Sequence, residues 1–339
     1  MTVKFGLIGA GRIGKVHARA IGSSSDARLV AVADASPTAA RDLAIAFGAD
    51  VRSIEDIERS ADVDAVVICT PTDTHADLIE CFARRGKAIF CEKPIDLDVA
   101  RVAQCLSVVD KARVTLMVGF NRRFDPHFSA VRKTIDDGTI GDVEMISITS
   151  RDPGPPPHDY IGRSGGIFRD MTIHDFDMAR FLLKEEPVFV SAHASVLVDK
   201  AIGELGDFDS ASVIMETASG KQCLISNSRR ATYGYDQRIE VHGSQGMVAA
   251  ENQRPVSIEI AGKSGYTRPP LHDFFMTRYL EAYANEIAAF IAAVTGGKPV
   301  SPGGEDGLLA LMIANAALES VKSRKTIRLV PRTTMTTQT

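Results

Sequence analysis

The sequence predicts an α/β N-terminal domain built on a doubly wound parallel sheet, followed by an α+β C-terminal domain with a large, open, mostly antiparallel sheet. Three observations predict it. Short β-branched runs alternate with helical patterns through the first 120 residues, strands bunch together beyond about residue 122, and a glycine-rich turn joins the first strand to the first helix. At roughly 150 residues per domain, 339 residues also fit about two domains.

The first five strands are expected at Val3 to Ile8, Leu29 to Ala33, Ala65 to Thr70, Ala88 to Cys91 and Val114 to Phe120. Helical patterns fill the gaps at Arg12 to Ile21, Pro37 to Phe47, His75 to Arg85 and Leu97 to Lys111. The second helix is marked at both ends, with Ser36 as cap, Pro37 at its first position and Gly48 past its last turn. After a helix from Pro126 to Asp137, alternating runs predict strands at Val143 to Thr149, Val188 to Val198, Ala211 to Glu216, Gln222 to Ser226, Arg238 to His242 and Val256 to Ile260. Amphipathic helices near Phe274 to Val294 and Glu305 to Lys322 close the chain. The domains are therefore expected at 1–121 and 122–330, with 331–339 a flexible Thr-rich tail.

Composition narrows the function. Lys plus Arg at 39 against Asp plus Glu at 43 leaves a charge of -4, with no basic excess for a phosphate backbone, so nucleic acid is not an expected partner. The longest apolar runs, Ala65 to Cys69 and Ile287 to Val294, fall short of the roughly 20 residues of a membrane span, and no signal peptide is visible at the N-terminus. Five cysteines (Cys69, Cys81, Cys91, Cys105, Cys223), with no CxxC pair and mostly in apolar patterns, read as reduced core residues of a cytoplasmic protein.

Gly9-Ala10-Gly11-Arg12-Ile13-Gly14 fits G-x-G-x-x-G between a strand and a helix. Asp34 closes the second strand 20 residues after Gly14, where a ribose-binding acid belongs. Gly9 allows the tight turn, Gly11 lets the backbone approach a pyrophosphate, and Gly14 lets the helix pack on the sheet. An acid at Asp34, followed by Ala35 and Ser36 with no arginine, favours NAD over NADP.

Two further segments carry chemistry. Lys93 in Glu92-Lys93-Pro94 ends the fourth of those strands, at the sheet edge where open α/β folds place ligands. From Gly165 the chain reads GGIFRDMTIHDFDMARFL, and a helix starting at Asp170 would put Asp170, His174 and Asp177 on one face of an otherwise apolar segment. His174 then reads either as a satisfied core histidine or as a general base oriented by the carboxylate one turn earlier. The i, i+4 spacing resembles a metal clip, but no further ligands complete one, and metal is set aside.

These segments, together with Thr70-Pro71, His75 and the run Gly119 to Asp125, resemble the Gfo/Idh/MocA oxidoreductase family from residue 1 to about 330. The resemblance implies a Rossmann domain and a C-terminal domain that often builds dimers and tetramers. It implies the catalytic trio Lys93, Asp170 and His174. Cofactor residues are expected at Gly9, Gly11, Arg12, Ile13, Gly14, Asp34, Thr70, Pro71, His75, Glu92 and Lys93. Substrate-binding residues are expected at Lys93, Arg123, Asp170, His174, Asp177 and Tyr235, with Tyr233 the alternative to Tyr235, where Arg123 reads equally as a salt bridge and Tyr235 as a half-buried sheet residue. The implied activity is NAD-dependent oxidation of a small-molecule polyol, myo-inositol at C2, by a homo-oligomer. Other inositols or a hexopyranose are alternative substrates, and a non-catalytic NAD-binding sensor is the alternative of another class.

Overall fold

The computed structural model describes residues 2–329, so the expected tail, 331–339, lies outside the described residues. The chain divides into two compact units, residues 2–125 with 280–311, and residues 126–279 with 312–329.

The first unit is a six-stranded parallel sheet in the order β3-β2-β1-β4-β5-β6. Its strands are β1 (Val3–Ile8), β2 (Ala27–Ala33), β3 (Asp50–Val51), β4 (Ala65–Ile68), β5 (Ala88–Cys91) and β6 (Leu116–Val118). The central strands are continuous apolar runs because helices cover both faces, and every residue of β4 is buried. This order reverses direction between β1 and β4, which opens a crevice at the carboxyl ends of the strands. The helix Pro37–Phe47 has the expected ends: the Ser36 side chain accepts from the Ala39 amide, and Gly48 takes φ 63°. The two-residue edge strand β3 was not expected from the sequence; it pairs only Asp50 and Val51 with β2.

The helix Leu280–Gly296 belongs to this unit, whereas the sequence reading assigned 122–330 to the second domain. The reason is long-range packing, with the Phe290 ring tilted 6.0 Å from Phe5 and edge-on 5.8 Å from Phe90.

The second unit holds a seven-stranded sheet in the order β12-β11-β7-β10-β9-β8-β15. The strands are β7 (Val143–Arg151), β8 (Pro187–Ser195), β9 (Ser210–Thr217), β10 (Gln222–Ser228), β11 (Asp236–Gly243), β12 (Gly246–Ala250) and β15 (Ile327–Arg328), with β13 (Ile260–Gly262) and β14 (Gly265–Thr267) as a separate hairpin. The pairing is antiparallel except between β7 and β10. In β9 and β10 buried and exposed residues alternate, so one face is covered and the other open. The run Val256 to Ile260, expected as a strand, is irregular until Ile260.

Candidate active site

The glycine turn has the geometry its sequence requires. Gly9 sits at φ 101°, and a Cβ there would lie 2.6 Å from the Cys69 carbonyl oxygen. A Cβ on Gly14 would stand 2.0 Å from the Gly9 carbonyl oxygen, whereas one on Gly11 would meet nothing within 4 Å. The backbone is therefore closed on the sheet side at Gly9 and Gly14 and open at Gly11, where the helix Arg12–Gly22 begins. This is the cradle a pyrophosphate needs, with Arg12 and Ile13 supplying the first helical amides.

Asp34 is tied to that turn. Its Oδ2 accepts from the Ala10 amide at 2.6 Å and its Oδ1 from the Ser36 amide at 2.7 Å. Each oxygen keeps a lone pair for a ribose hydroxyl, so the two backbone bonds preset the acid rather than consume it. The residues present fit a dinucleotide.

At the end of β4, Thr70 and Pro71 lead into the helix His75–Arg84. His75 is buried, and its ring nitrogens lie 2.8 Å from the Pro94 carbonyl oxygen and 2.7 Å from that of Thr70. Burial pulls its imidazole below the ordinary value, and the two carbonyls pull it back. A neutral imidazole carries one N–H, so His75 donates to one of these two carbonyls, and its ring sits between the end of β4 and the segment after β5. Glu92 points inward as well, with Oε1 2.6 Å from Nε2 of His17. His17, Glu92 and Glu286 bring ligand-type atoms within 4.8 Å of one another in the buried interior of this unit.

Arg123 is 8% exposed and donates to Asp306 Oδ1 at 2.9 Å and to Ser301 Oγ at 3.0 Å, which realises the salt-bridge reading of this residue.

In the second unit, the continuous helix expected from Asp170 is interrupted. Asp170 ends a one-turn helix, Ile167–Asp170, and His174 is the second residue of the helix Ile173–Leu183. Met171 and Thr172 form the turn between them, where the Thr172 hydroxyl bonds back to the Ile167 carbonyl and across to Asn227.

Asp170 Oδ1 accepts from the Tyr160 hydroxyl at 2.8 Å, and Oδ2 lies 3.4 Å from Nη1 of Arg229. Arg229 also reaches Asp207 at 3.5 Å, whose other oxygen accepts from the Ile167 amide. A one-turn helix is thereby held at both ends by two carboxylates joined through one guanidinium. Sequence reasoning missed Tyr160, Arg229 and Asp207, which lie 10, 59 and 37 residues from Asp170 with no spacing to link them.

Beneath this segment, buried Asp175 accepts from Ser150 at 2.6 Å and from Asn227 at 2.7 Å, so the fully buried carboxylate is satisfied within the fold. Asp177 is 1% exposed and lies 3.8 Å from Nη1 of Arg180. Tyr235 is more buried than the sequence reading allowed, at 5% exposure, with its ring 5.8 Å from Phe274 and 6.0 Å from Tyr279. Tyr233 is half exposed and donates to Asp236 at 2.6 Å. His158 is exposed and paired with Asp199 at 2.9 Å.

Comparison with known proteins decides the family. Residues 3–120 match the oxidoreductase family with an NAD-binding Rossmann fold, and residues 128–249 match the GFO/IDH/MocA C-terminal domain. The chain belongs to the Gfo/Idh/MocA oxidoreductase family. It is an enzyme of the NAD-binding oxidoreductase type, and NAD is its cofactor.

The chain is 73% identical over 327 residues to an inositol 2-dehydrogenase of Rhizobium meliloti (strain 1021), covering 96% of this chain and 99% of that one. A crystal structure of a myo-inositol dehydrogenase from Corynebacterium glutamicum ATCC 13032 superposes with a TM-score of 0.94 at 43% identity, covering 98% of this chain and 100% of that one. A scyllo-inositol dehydrogenase from Lactobacillus casei, solved with NAD(H) and scyllo-inositol bound, superposes with a TM-score of 0.90 at 28% identity, covering 97% and 99%.

Proposed function

We propose that this Gfo/Idh/MocA oxidoreductase is an inositol 2-dehydrogenase, oxidising myo-inositol at C2 to scyllo-inosose. The observation that carries the reading is the 73% identity, over almost the whole of both chains, to the Rhizobium meliloti enzyme of that name.

His174 is the general base and takes the C2 hydroxyl proton as the C–O bond becomes a carbonyl. Asp170, fixed by Tyr160 and Arg229, is the carboxylate that favours the charged imidazole. Lys93 stabilises the developing alkoxide as an ammonium donor, a role worth most where water is excluded. Gly11, Arg12 and Ile13 receive the pyrophosphate, and Asp34 the adenosine ribose, of the dinucleotide. When bound, NAD supplies the hydride acceptor. Arg123, Asp177 and Tyr235 bind the polyol from buried positions, so they set the shape of the site.

Scyllo-inositol is a second reading, favoured by the likeness to the Lactobacillus casei enzyme. The two cyclitols are epimers at C2 and give the same ketone, so relative kcat/KM rather than the product tells them apart, and a label reports the carbon oxidised. Deuterium at C2 of myo-inositol should appear in the reduced cofactor; reduced cofactor formed without deuterium would place the oxidation elsewhere on the ring.

We further propose a cytoplasmic homo-oligomer, a dimer or tetramer. All five cysteines are free thiols, and burial raises those of Cys69, Cys91, Cys105 and Cys223, which suits a reducing compartment. The open face of the seven-stranded sheet exposes Met145, Phe189, Ile214, Leu224 and Met247, a surface that a second copy would cover. No helix among the described residues is long and apolar enough to cross a membrane.

A further inference from the structure

Lys93 stands between two residues that are each gripped by a buried histidine. Before it, Glu92 Oε1 lies 2.6 Å from Nε2 of His17, which projects from the helix Arg12–Gly22 and is 0% exposed. The imidazole is walled by Phe90 and Tyr283, whose rings meet it edge-on at 4.9 and 5.5 Å. After it, the Pro94 carbonyl lies 2.8 Å from Nδ1 of His75, and the other nitrogen of that ring faces the Thr70 carbonyl at the end of β4. The Glu92 carboxylate also packs over the end of β6, 3.1 Å from where a Cβ on Gly119 would stand. Two helices and three strand ends therefore converge on one three-residue segment.

Neither histidine is exposed, and both nitrogens of His75 face backbone carbonyls, so neither is placed to exchange a proton with a substrate. The cluster of His17, Glu92 and Glu286 is a poor metal centre. Two ligands on a tetrahedral ion with bonds of about 2.1 Å stand about 3.4 Å apart, whereas Nε2 and Oε1 are at hydrogen-bonding distance. Glu286, 4.0 Å from the other ring nitrogen of His17, is 0% exposed with both oxygens unpartnered among the described residues. Burial first, and then the charge of Glu92, push its carboxyl well above the ordinary range. Burial thus biases Glu286 toward its protonated form. Cys69 and Cys91, the other titratable groups facing Glu92, are held as neutral thiols by the same burial.

We infer that His17 and His75 are positioning residues for Lys93, holding the Glu92 side chain before it and the Pro94 carbonyl after it so that its ammonium meets the reacting oxygen in one geometry. This rests on the proposed role of Lys93 in alkoxide stabilisation. A lysine carries its charge on a flexible four-carbon stem, so holding its backbone still removes one source of spread in where the ammonium sits. Misplacement by about 1 Å at a reacting centre costs on the order of 10²-fold in rate.

A double-mutant cycle tests it. His17→Phe and His75→Phe keep a ring in place and remove the hydrogen bonds. Each should lower kcat about 10-fold or more with the KM for polyol changed less than about 3-fold, and in His17→Phe the Kd for NAD should hold within the same margin. In a Lys93→Ala background neither should lower kcat further. His17→Gln, which retains a donor near Nε2, should recover most of the loss. Losses that multiply with Lys93→Ala, or a folded His17→Phe with unchanged kcat, would overturn the inference. Should His17→Phe not fold, His75→Phe and His17→Asn, whose amide falls short of Glu92, carry the same cycle. Hydrogen exchange at the amides of residues 92, 93 and 95 in the NAD-bound protein needs no substrate, and should accelerate in both phenylalanine variants. A wild-type protein that oxidises no polyol sinks the functional reading alone, whereas unchanged exchange at these amides sinks the positioning role alone.

Discussion

Oδ2 of Asp170 lies 3.4 Å from Nη1 of Arg229, a guanidinium that is 1% exposed and also reaches Asp207. Removing one partner of a buried ion pair leaves the others uncompensated and costs about 3 to 5 kcal/mol. Arg229→Ala should therefore lower unfolding stability by roughly that amount in a denaturant titration. It should also lower kcat about 10-fold or more, because Asp170 and the one-turn helix that carries it lose their anchor. Stability falling with kcat untouched would separate Arg229 from the chemistry.

The bond between the Ala10 amide and Asp34 makes cofactor choice and turn geometry one property. Asp34→Ala should weaken NAD by about 1 to 3 kcal/mol in a calorimetric titration and narrow its advantage over NADP. A wild-type preference for NADP would show that Asp34 is not the ribose acid.

As a general base, His174 must be neutral to accept the hydroxyl proton. Oxidation is therefore expected at full rate above the imidazole titration and lost as pH falls through it, the ordinary midpoint being about 6.5. His174→Ala should lower kcat about 10² to 10⁴-fold with NAD affinity intact. Near-normal turnover with an unaltered pH profile would return His174 to the reading of a satisfied core histidine.

Glu286 makes stability depend on pH in a defined direction. Its carboxyl is held well above the ordinary value of about 4.3, by burial first and Glu92 second, so the folded chain keeps a proton that the unfolded chain releases. Raising the pH above that ordinary value then favours unfolding by up to about 1.4 kcal/mol per pH unit, until Glu286 itself ionises. Glu286→Gln keeps the shape and removes this penalty. The variant should be more stable than the parent, by little at pH 5 and by a margin that widens toward pH 8 in urea titrations. A margin independent of pH would mean that Glu286 is ionised in the folded protein.

The legible parts of this protein are those encoded within about 35 residues of one another. The glycine turn, Asp34 and the Ser36 to Gly48 helix follow from local steric and capping rules, and all appear where the sequence places them. Lys93 stands just past the end of β5, as the sequence places it. The break at Met171 and Thr172 was hidden, because it is made by a bond to Asn227, 55 residues away. The assignment of Leu280–Gly296 to the first unit was hidden for the same reason, since an amphipathic helix does not announce which surface it covers. His17 did leave a signal that went unread: it shares a face with Gly14 and Ile21, and a histidine in an otherwise apolar stripe needs a buried partner.

The central claim is oxidation of an inositol at C2, and the most direct measurement is kcat/KM for NAD reduction across myo-, scyllo- and chiro-inositol and free hexoses, with purified wild-type protein. The account predicts the highest value for myo-inositol, with the C2-deuterated substrate delivering its label to the cofactor. A hexose preferred over every inositol, or NAD bound with no turnover of any member of the panel, would contradict it.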